Sequence, residues 1–276
     1  MIRYCTQPAA PLAPLIAQFW SITAAAGTRL PDYLPGTGTE ILLNVADDAA
    51  LLQSAAGHSA DPVRTLLRSG EAVCICPRFS RLTIQTTGET RLFSIRFRSA
   101  GFFSLFAIPQ QHICDQVIST EALGISLPDL PSDLSHDSLA EQLQNWLYLH
   151  YPVVDNHQSL LNHAVDQLYY QHHRLSVQTI QQATALSERG FQRHVKHITG
   201  VSAKYFARTA RFQATLKRLL ASGQPSSLDT LLTQGYYDQS HFIRDFRHFT
   251  GTTPARYLTD HQRRCNFYLP TTAAEL

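Results

Sequence analysis

The chain has 276 residues, 44% of them hydrophobic and 16% charged, with a formal net charge of +2. This length predicts two domains, and the composition excludes an extensively disordered or fibrous chain. No apolar run approaches the roughly 20 residues of a membrane-spanning helix, and the first residues lack the apolar segment of a secretory signal, so a cytosolic protein without membrane contact is expected.

The first 150 residues are predicted to be rich in β-strands. Short apolar or alternating runs are separated by breaks that contain glycine, proline, aspartate or threonine. These runs lie at 40–45, 72–76, 82–85 and 92–97. The pattern predicts a sandwich or a small barrel, followed by a short helix at 101–106.

Beyond a loop marked by two prolines, the hydrophobic period becomes helical. One helix is predicted at 139–148, with Ser138 as its N-cap. A second is predicted at 159–170, with Leu160 among its inward-facing residues. From there to residue 258 every segment is helical in period, which places a domain boundary near 152–158.

Charge is distributed unevenly across that boundary. Residues 1–159 contain 9 Lys and Arg against 14 Asp and Glu, whereas residues 160–264 contain 14 against 6. A basic helical domain of this kind predicts a polyanionic partner. The sequence therefore divides into a β-rich domain at 1–152 and a basic, all-α domain at 158–262.

An internal repeat with an offset of 51 residues lies in the basic part. The matched positions are Ile180 and Leu231, Phe191 and Phe242, Arg193 and Arg244, Val195 and Phe246, Lys196 and Arg247, and Gly200 and Gly251. Each copy reads as a helix, a tight connection, a second amphipathic helix and a glycine suited to a left-handed helix end. This is the pattern of a helix-turn-helix unit, present twice.

The first helix of the first unit is predicted at 177–185, and the second helices of the two units at 188–199 and 239–250. Ser187 and Asp238 are the expected N-caps of the second helices. Their outward side chains suit the major groove, since Arg reads guanine, Gln reads adenine and Ser reads either. These side chains are Arg189, Gln192, Arg193 and Lys196, then Gln239, Ser240, Arg244 and Arg247. A solvated helix face is the alternative for any one of them, but matching cations at one offset favour DNA.

Between the two units, residues 202–221 are predicted to form one continuous helix of roughly 18 residues, about 27 Å long. A rod of this size would hold two recognition helices so that they enter successive major grooves of duplex DNA, about 34 Å apart.

The stretch GYYDQSHFIRDFRHFTGTTPARY at 235–257 closely resembles the signature of the AraC/XylS family of bacterial transcription regulators. The segment 186–202 is similar to the family's first unit, and Arg211-Phe212 to its linker helix. The resemblance implies that Arg189, Gln192, Arg193, Gln239, Ser240 and Arg244 read bases, and that Lys196 and Arg247 contact phosphate. It also implies an α+β chain whose N-terminal domain, often a cupin-like barrel, senses an effector or dimerises.

A second resemblance involves the N-terminal part. Residues 34–44, with Cys76-Pro77-Arg78 and Ile95-Arg96-Phe97-Arg98, are similar to an N-terminal domain found on some of these regulators. Arg78, Arg96 and Arg98 are candidates for binding an anionic or aromatic effector. Surface ion pairs with nearby Asp and Glu are the alternative. The five cysteines and the histidines have no metal-ligand spacing, so no metal or cofactor is expected.

The leading hypothesis is a sequence-specific DNA-binding transcription regulator, an activator by analogy with the family. Its expected partner is double-stranded DNA; a small-molecule effector, RNA polymerase and a second copy of the chain are further candidates. One alternative is an enzyme, either a metal-dependent cupin or a DNA alkyl-repair protein, but the clustered ligands or activated thiol that these need are missing from the sequence. Another is a regulator whose first domain binds only a protein partner.

Overall fold

The structure, a computed structural model, describes residues 1–28, 30, 32–54, 64–76, 79–151, 159–171, 173–222 and 228–259. The strands are β1 (Ile2–Thr6), β2 (Ile16–Ala24), β3 (Glu40–Asn44), β4 (Ala50–Ser54), β5 (Arg64–Leu67), β6 (Ala72–Ile75), β7 (Leu82–Thr86), β8 (Thr90–Phe97) and β9 (Val117–Ser119). The helices are α1 (Gly101–Phe106), α2 (His136–His150), α3 (Ser159–Tyr170), α4 (Val177–Ala183), α5 (Glu188–Thr199), α6 (Ala203–Ser222), α7 (Leu228–Thr233), α8 (Gln239–Thr250) and α9 (Pro254–Thr259). Within these ranges, no helix combines the length and the apolar character needed to cross a membrane.

The strands form two antiparallel sheets, so the predicted α+β class is confirmed. One sheet has the order β1-β2-β8-β3-β6-β9 and the other β5-β4-β7. Trp20, Leu42 and Leu92 of the larger sheet share a buried core with Leu52 and Ile84 of the smaller one. This sheet region is stabilised by apolar side chains that alternate inward from both layers.

The four strands predicted from short apolar or alternating runs are present as β3, β6, β7 and β8, each within two residues of its predicted limits. The other five strands have no clear periodic signal. β2 is a central strand that is buried on both faces over most of its length, so its sequence does not alternate. Unlike the equally short but wholly apolar β6, β5 begins with the polar residues Arg64 and Thr65, and β9 has only three residues.

Helix α2 covers the outer face of the larger sheet, where Leu143 and Trp146 pack with Phe93. It begins earlier than predicted, because the Oγ of Ser135 accepts the backbone N–H of Ser138. The prediction that Ser138 is the N-cap is therefore wrong. The added first turn places His136 in the protein interior, which the apolar pattern did not indicate.

Helix α3 has the predicted limits, and its buried stripe is formed by Ala164, Val165 and Leu168 together with the partly buried Leu161. Leu160, predicted to face inward, is 66% exposed. The stripe follows the spacing i, i+3, i+4 and i+7 from position 161, and Leu160 lies beside it. The predicted boundary at 152–158 lies outside the described residues.

The sheet region packs directly against the helical region. The short turn Gln110–His112 lies on α5, and the ring of Phe103 lies edge-on to that of His197, with 5.0 Å between their centroids. Leu34, which precedes β3, is buried in one core with Phe212 of α6. The sheets and the helices therefore form one continuous packed body.

Candidate nucleic-acid interface

The first helix-turn-helix unit consists of α4 and α5. Their N-caps are Ser176 and Ser187, whose hydroxyl oxygens accept the backbone N–H groups of Thr179 at 3.0 Å and Gly190 at 3.2 Å. α5 has the limits predicted from the sequence, whereas α4 ends two residues early. Ala185 has a φ of 56°, a left-handed conformation that cannot continue the helix.

Helix α5 separates an apolar face from a basic face. Phe191, Val195 and Ile198 are buried, as predicted, in a core that includes Ile180 of α4 and Phe206 of α6. The predicted DNA-contacting side chains lie on the other side, with Gln192 half-buried and three cations exposed: Arg189, Arg193 and Lys196. The first unit therefore presents these residues on its solvent face.

The second unit consists of α7 and α8 and repeats this arrangement. Asp238 is the N-cap of α8, and its Oδ1 accepts the backbone N–H of His241 at 2.7 Å. The three anchors Phe242, Phe246 and Phe249 are buried. The predicted contact residues Gln239, Ser240, Arg244 and Arg247 are all exposed. Apart from the half-buried Gln192, both units thus expose the side chains predicted to contact DNA.

Helix α6 joins the two units and supplies part of each core. It has 20 residues, which corresponds to a length of about 30 Å. Phe206 is packed in the core of the first unit, while Phe212 and Leu216 are packed in the core of the second. One helix therefore carries both units, so their separation is set by a regular secondary structure.

The buried carboxylate of Asp245 links α8 to α6. The sequence pattern did not identify this residue. Asp245 accepts a hydrogen bond from Arg208 Nε at 2.8 Å and one from Arg211 Nη2 at 3.3 Å. The Arg211 guanidinium also lies 4.7 Å from the ring centroid of Tyr236. The signal was present as an acidic residue beside the aromatic anchors of α8 and two arginines three positions apart on α6. Only the packing of the two helices shows that they meet.

Two histidines on α8 have lowered pKa values, so each carries less positive charge than a free imidazole would. Burial, together with the charge of Arg211, lowers the pKa of His241. Burial and the charge of Arg208 lower the pKa of His248 in the same way. The basic character of the second unit therefore comes from its arginines.

The three arginines predicted to bind an effector have separate surroundings. Arg96 Nη1 lies 3.7 Å from Oε1 of the buried Glu40. Arg98 donates hydrogen bonds to the backbone oxygen of Ala13 at 2.6 Å and to the hydroxyl of Tyr170. Arg78 lies outside the described residues.

Arg96 and Arg98 nevertheless line one cleft between the sheet region and α3. The cleft has a volume of about 50 Å³, and Asp166 and Tyr170 form its helical side. Burial raises the pKa of Asp166, although the charge of Arg98 acts in the opposite direction. Among the residues that the structure describes, no three His, Cys, Asp or Glu side chains are grouped so that they could hold a metal ion.

Comparison with known proteins identifies two regions of the chain. Residues 180–260 match a family model described as a helix-turn-helix domain, and residues 4–119 match one described as a domain of unknown function, DUF6597. No curated protein matches the chain.

Two solved structures of ToxT from Vibrio cholerae are similar to this chain. An apo variant of ToxT is 11% identical, covers 92% of this chain and 99% of its own, and has a TM-score of 0.50. A second crystal form is 8% identical, covers 94% and 98%, and has a TM-score of 0.47. At these identities the likeness concerns the fold alone.

Proposed function

We propose that this protein is an AraC-type transcription regulator that reads a specific DNA sequence with α5 and α8, and the match of residues 180–260 to a helix-turn-helix family model supports this proposal. One observation carries the proposal. Two capped amphipathic helices are packed on the same connecting helix, and each leaves its polar, basic face exposed.

The roles of the exposed residues follow from their positions along each helix. In helix-turn-helix units, the N-terminal part of the recognition helix contacts base edges. We assign base reading to Arg189, Gln192 and Arg193 in the first unit and to Gln239, Ser240 and Arg244 in the second. Lys196 and Arg247 lie three residues further along and are assigned to phosphates, which position the protein without reading sequence.

Footprinting on genomic fragments, followed by titration of a fluorescent duplex, tests the proposal. Affinity for the footprinted site should exceed that for a scrambled duplex by about a thousandfold or more at physiological salt. Equal affinity for both duplexes would exclude specific reading. The cupin-enzyme alternative is not favoured. We propose that the chain has no catalytic activity and acts in the cytoplasm.

We further propose that residues 1–152 form a sensing or dimerisation domain and residues 158–262 the DNA-binding domain. In the part of the chain that the structure describes, every strand lies within residues 1–152 and only helices follow, and this order, together with the uneven charge, supports the division. RNA polymerase and a second copy of the chain are partners that the AraC type implies.

We propose a small anionic effector for the cleft between the sheet region and α3, because Arg96 and Arg98 are both among the residues that line it. A thermal-shift screen of carboxylates and phosphates tests this idea. An effector at 100 times its Kd should stabilise the protein by about 2.7 kcal/mol. The shift should disappear in Arg98→Ala. If no anion produces a shift, the protein-partner alternative is favoured instead.

A further inference from the structure

The turns of the two helix-turn-helix units differ in length. In each turn one residue adopts a left-handed conformation, Ala185 with a φ of 56° and Gly235 with a φ of 82°. The N-cap Ser187 follows two residues after the first, whereas the N-cap Asp238 follows three residues after the second. The second turn therefore has one more residue between its left-handed position and its N-cap, although the two units have equal length, because α7 ends one residue earlier in the repeat than α4.

At the repeat offset of 51 residues, Tyr237 corresponds to Leu186 of the first turn. In both units the residue after the left-handed position packs inward: Leu186 is partly buried against the first core, and Tyr236 is 2% exposed in the second. The chain then enters α5 at once, but it enters α8 only after Tyr237, which is 86% exposed. Packing therefore does not explain a large aromatic side chain at this place.

Tyr237 adjoins the surface that we assign to DNA. It directly precedes the N-cap of α8, and Gln239 and Ser240 follow in the first turn of that helix. In helix-turn-helix complexes the N-terminal residues of the recognition helix enter the groove, so the turn before them faces the groove's edge, where the sugar-phosphate backbone runs. Tyrosine is one of the side chains that bind phosphate oxygens.

We propose that Tyr237 is a DNA-backbone contact of the second unit, with its ring against a deoxyribose and its hydroxyl donating a hydrogen bond to a phosphate oxygen. This inference rests on the proposed DNA-binding function and adds a residue that was not among the predicted contacts. Because the contact is with the backbone, it supports affinity for any sequence and does not discriminate between bases.

The test compares Tyr237→Ala and Tyr237→Phe with the wild type by fluorescence anisotropy, on the footprinted site and on a scrambled duplex. Tyr237→Ala should raise both Kd values about fivefold, and Tyr237→Phe about twofold, because phenylalanine keeps the ring and loses the hydroxyl. The ratio of the two Kd values should not change. Leu149→Ala is the control, since Leu149 is 80% exposed at the far end of α2, and its Kd values should equal those of the wild type.

The possible outcomes separate this inference from the proposed function. Wild-type affinity for both duplexes in Tyr237→Ala overturns the contact, while sequence-specific binding stands. A loss confined to the footprinted site also overturns it, because it would indicate base reading. If the wild type itself does not distinguish the duplexes, the proposed function fails. The melting temperature of both variants should equal that of the wild type, which shows that any loss of binding is not a loss of folding.

Discussion

The hydroxyl of Thr37 donates a hydrogen bond of 3.1 Å to the side-chain oxygen of Gln213, although 176 residues separate them in the chain. Both residues are buried. The amide of Gln213 in turn donates to the backbone oxygen of Pro35 at 3.3 Å. The segment that leads into β3 is thus held against α6, the helix that connects the two helix-turn-helix units.

Thr37→Val tests how strongly this contact holds the two regions together. The substitution keeps the shape of the side chain and removes the donor, so the free energy of unfolding should fall by about 1 kcal/mol. In a double-mutant cycle with Gln213→Ala, chemical denaturation should show a coupling of similar size. Strictly additive effects would mean that the hydrogen bond contributes nothing.

The glycines that end α5 and α8 provide a matched pair for a second prediction. Gly200 and Gly251 are both left-handed, with φ of 82° and 73°, so alanine at either position should cost about 1 kcal/mol. An added Cβ at Gly200 would lie 3.0 Å from the backbone oxygen of Gln110, whereas at Gly251 it meets nothing within 4 Å. Gly200→Ala should therefore lower the melting temperature more than Gly251→Ala. Equal decreases in melting temperature would show that the turn at Gln110 moves away from the added Cβ without a measurable cost.

Asp245→Ala should be among the most destabilising changes in the second unit. It removes a buried carboxylate that accepts hydrogen bonds from Arg208 and Arg211, and breaking such an arrangement costs about 3 kcal/mol. Urea denaturation measures the loss. Glu188→Ala is the control, because this exposed acid in the first turn of α5 should change stability by less than about 0.5 kcal/mol.

Stability should decrease in mild acid, partly because of His136. Its Nδ1 lies 2.8 Å from the hydroxyl of Ser21 and its Nε2 2.9 Å from that of Thr6. Burial lowers the pKa of His136; nearby Asp137 opposes this shift and Arg91 adds to it. As the pH falls through about 6.5, the unfolded chain binds a proton that the folded chain resists, so the free energy of unfolding falls.

His136→Gln should weaken this pH dependence, because glutamine binds no proton. The free energy of unfolding, measured by denaturation at pH 7.5 and at pH 5, should differ less between wild type and variant at pH 5 than at pH 7.5. If the difference in the free energy of unfolding is the same at both pH values, His136 does not contribute to the loss of stability in acid.

Two arginines of α8 should respond differently to substitution if their assigned roles are correct. Arg244→Ala should cost about 1–3 kcal/mol at the footprinted site and relax its sequence preference. Arg247→Ala should weaken binding to all duplexes similarly and reduce the salt dependence by about one phosphate contact. Anisotropy titrations at several salt concentrations distinguish them. Identical patterns for the two variants would contradict the division into base and phosphate contacts.

The sequence predicted the recognition helices to the residue, because the information for them is local. An N-cap such as Ser187 or Asp238, the spacing of the apolar anchors and a closing glycine all lie within about a dozen positions. The same local reasoning failed for the cap of α2, where Ser135 and Ser138 are both acceptable caps. The choice between them depends on whether His136 is buried in the protein interior.

By itself, the sequence determined the limits and N-caps of α5 and α8, the outward side chains of these two helices, and a basic domain that follows a β-rich one. Only the tertiary structure decided that Asp245 joins α8 to α6, that Thr37 meets Gln213, and that Tyr237 is left outside the packing of its turn. The physical reason is that capping and periodicity act between neighbours in the chain. The partner of a buried polar group, or the absence of a packed neighbour, depends on how distant helices and strands come together.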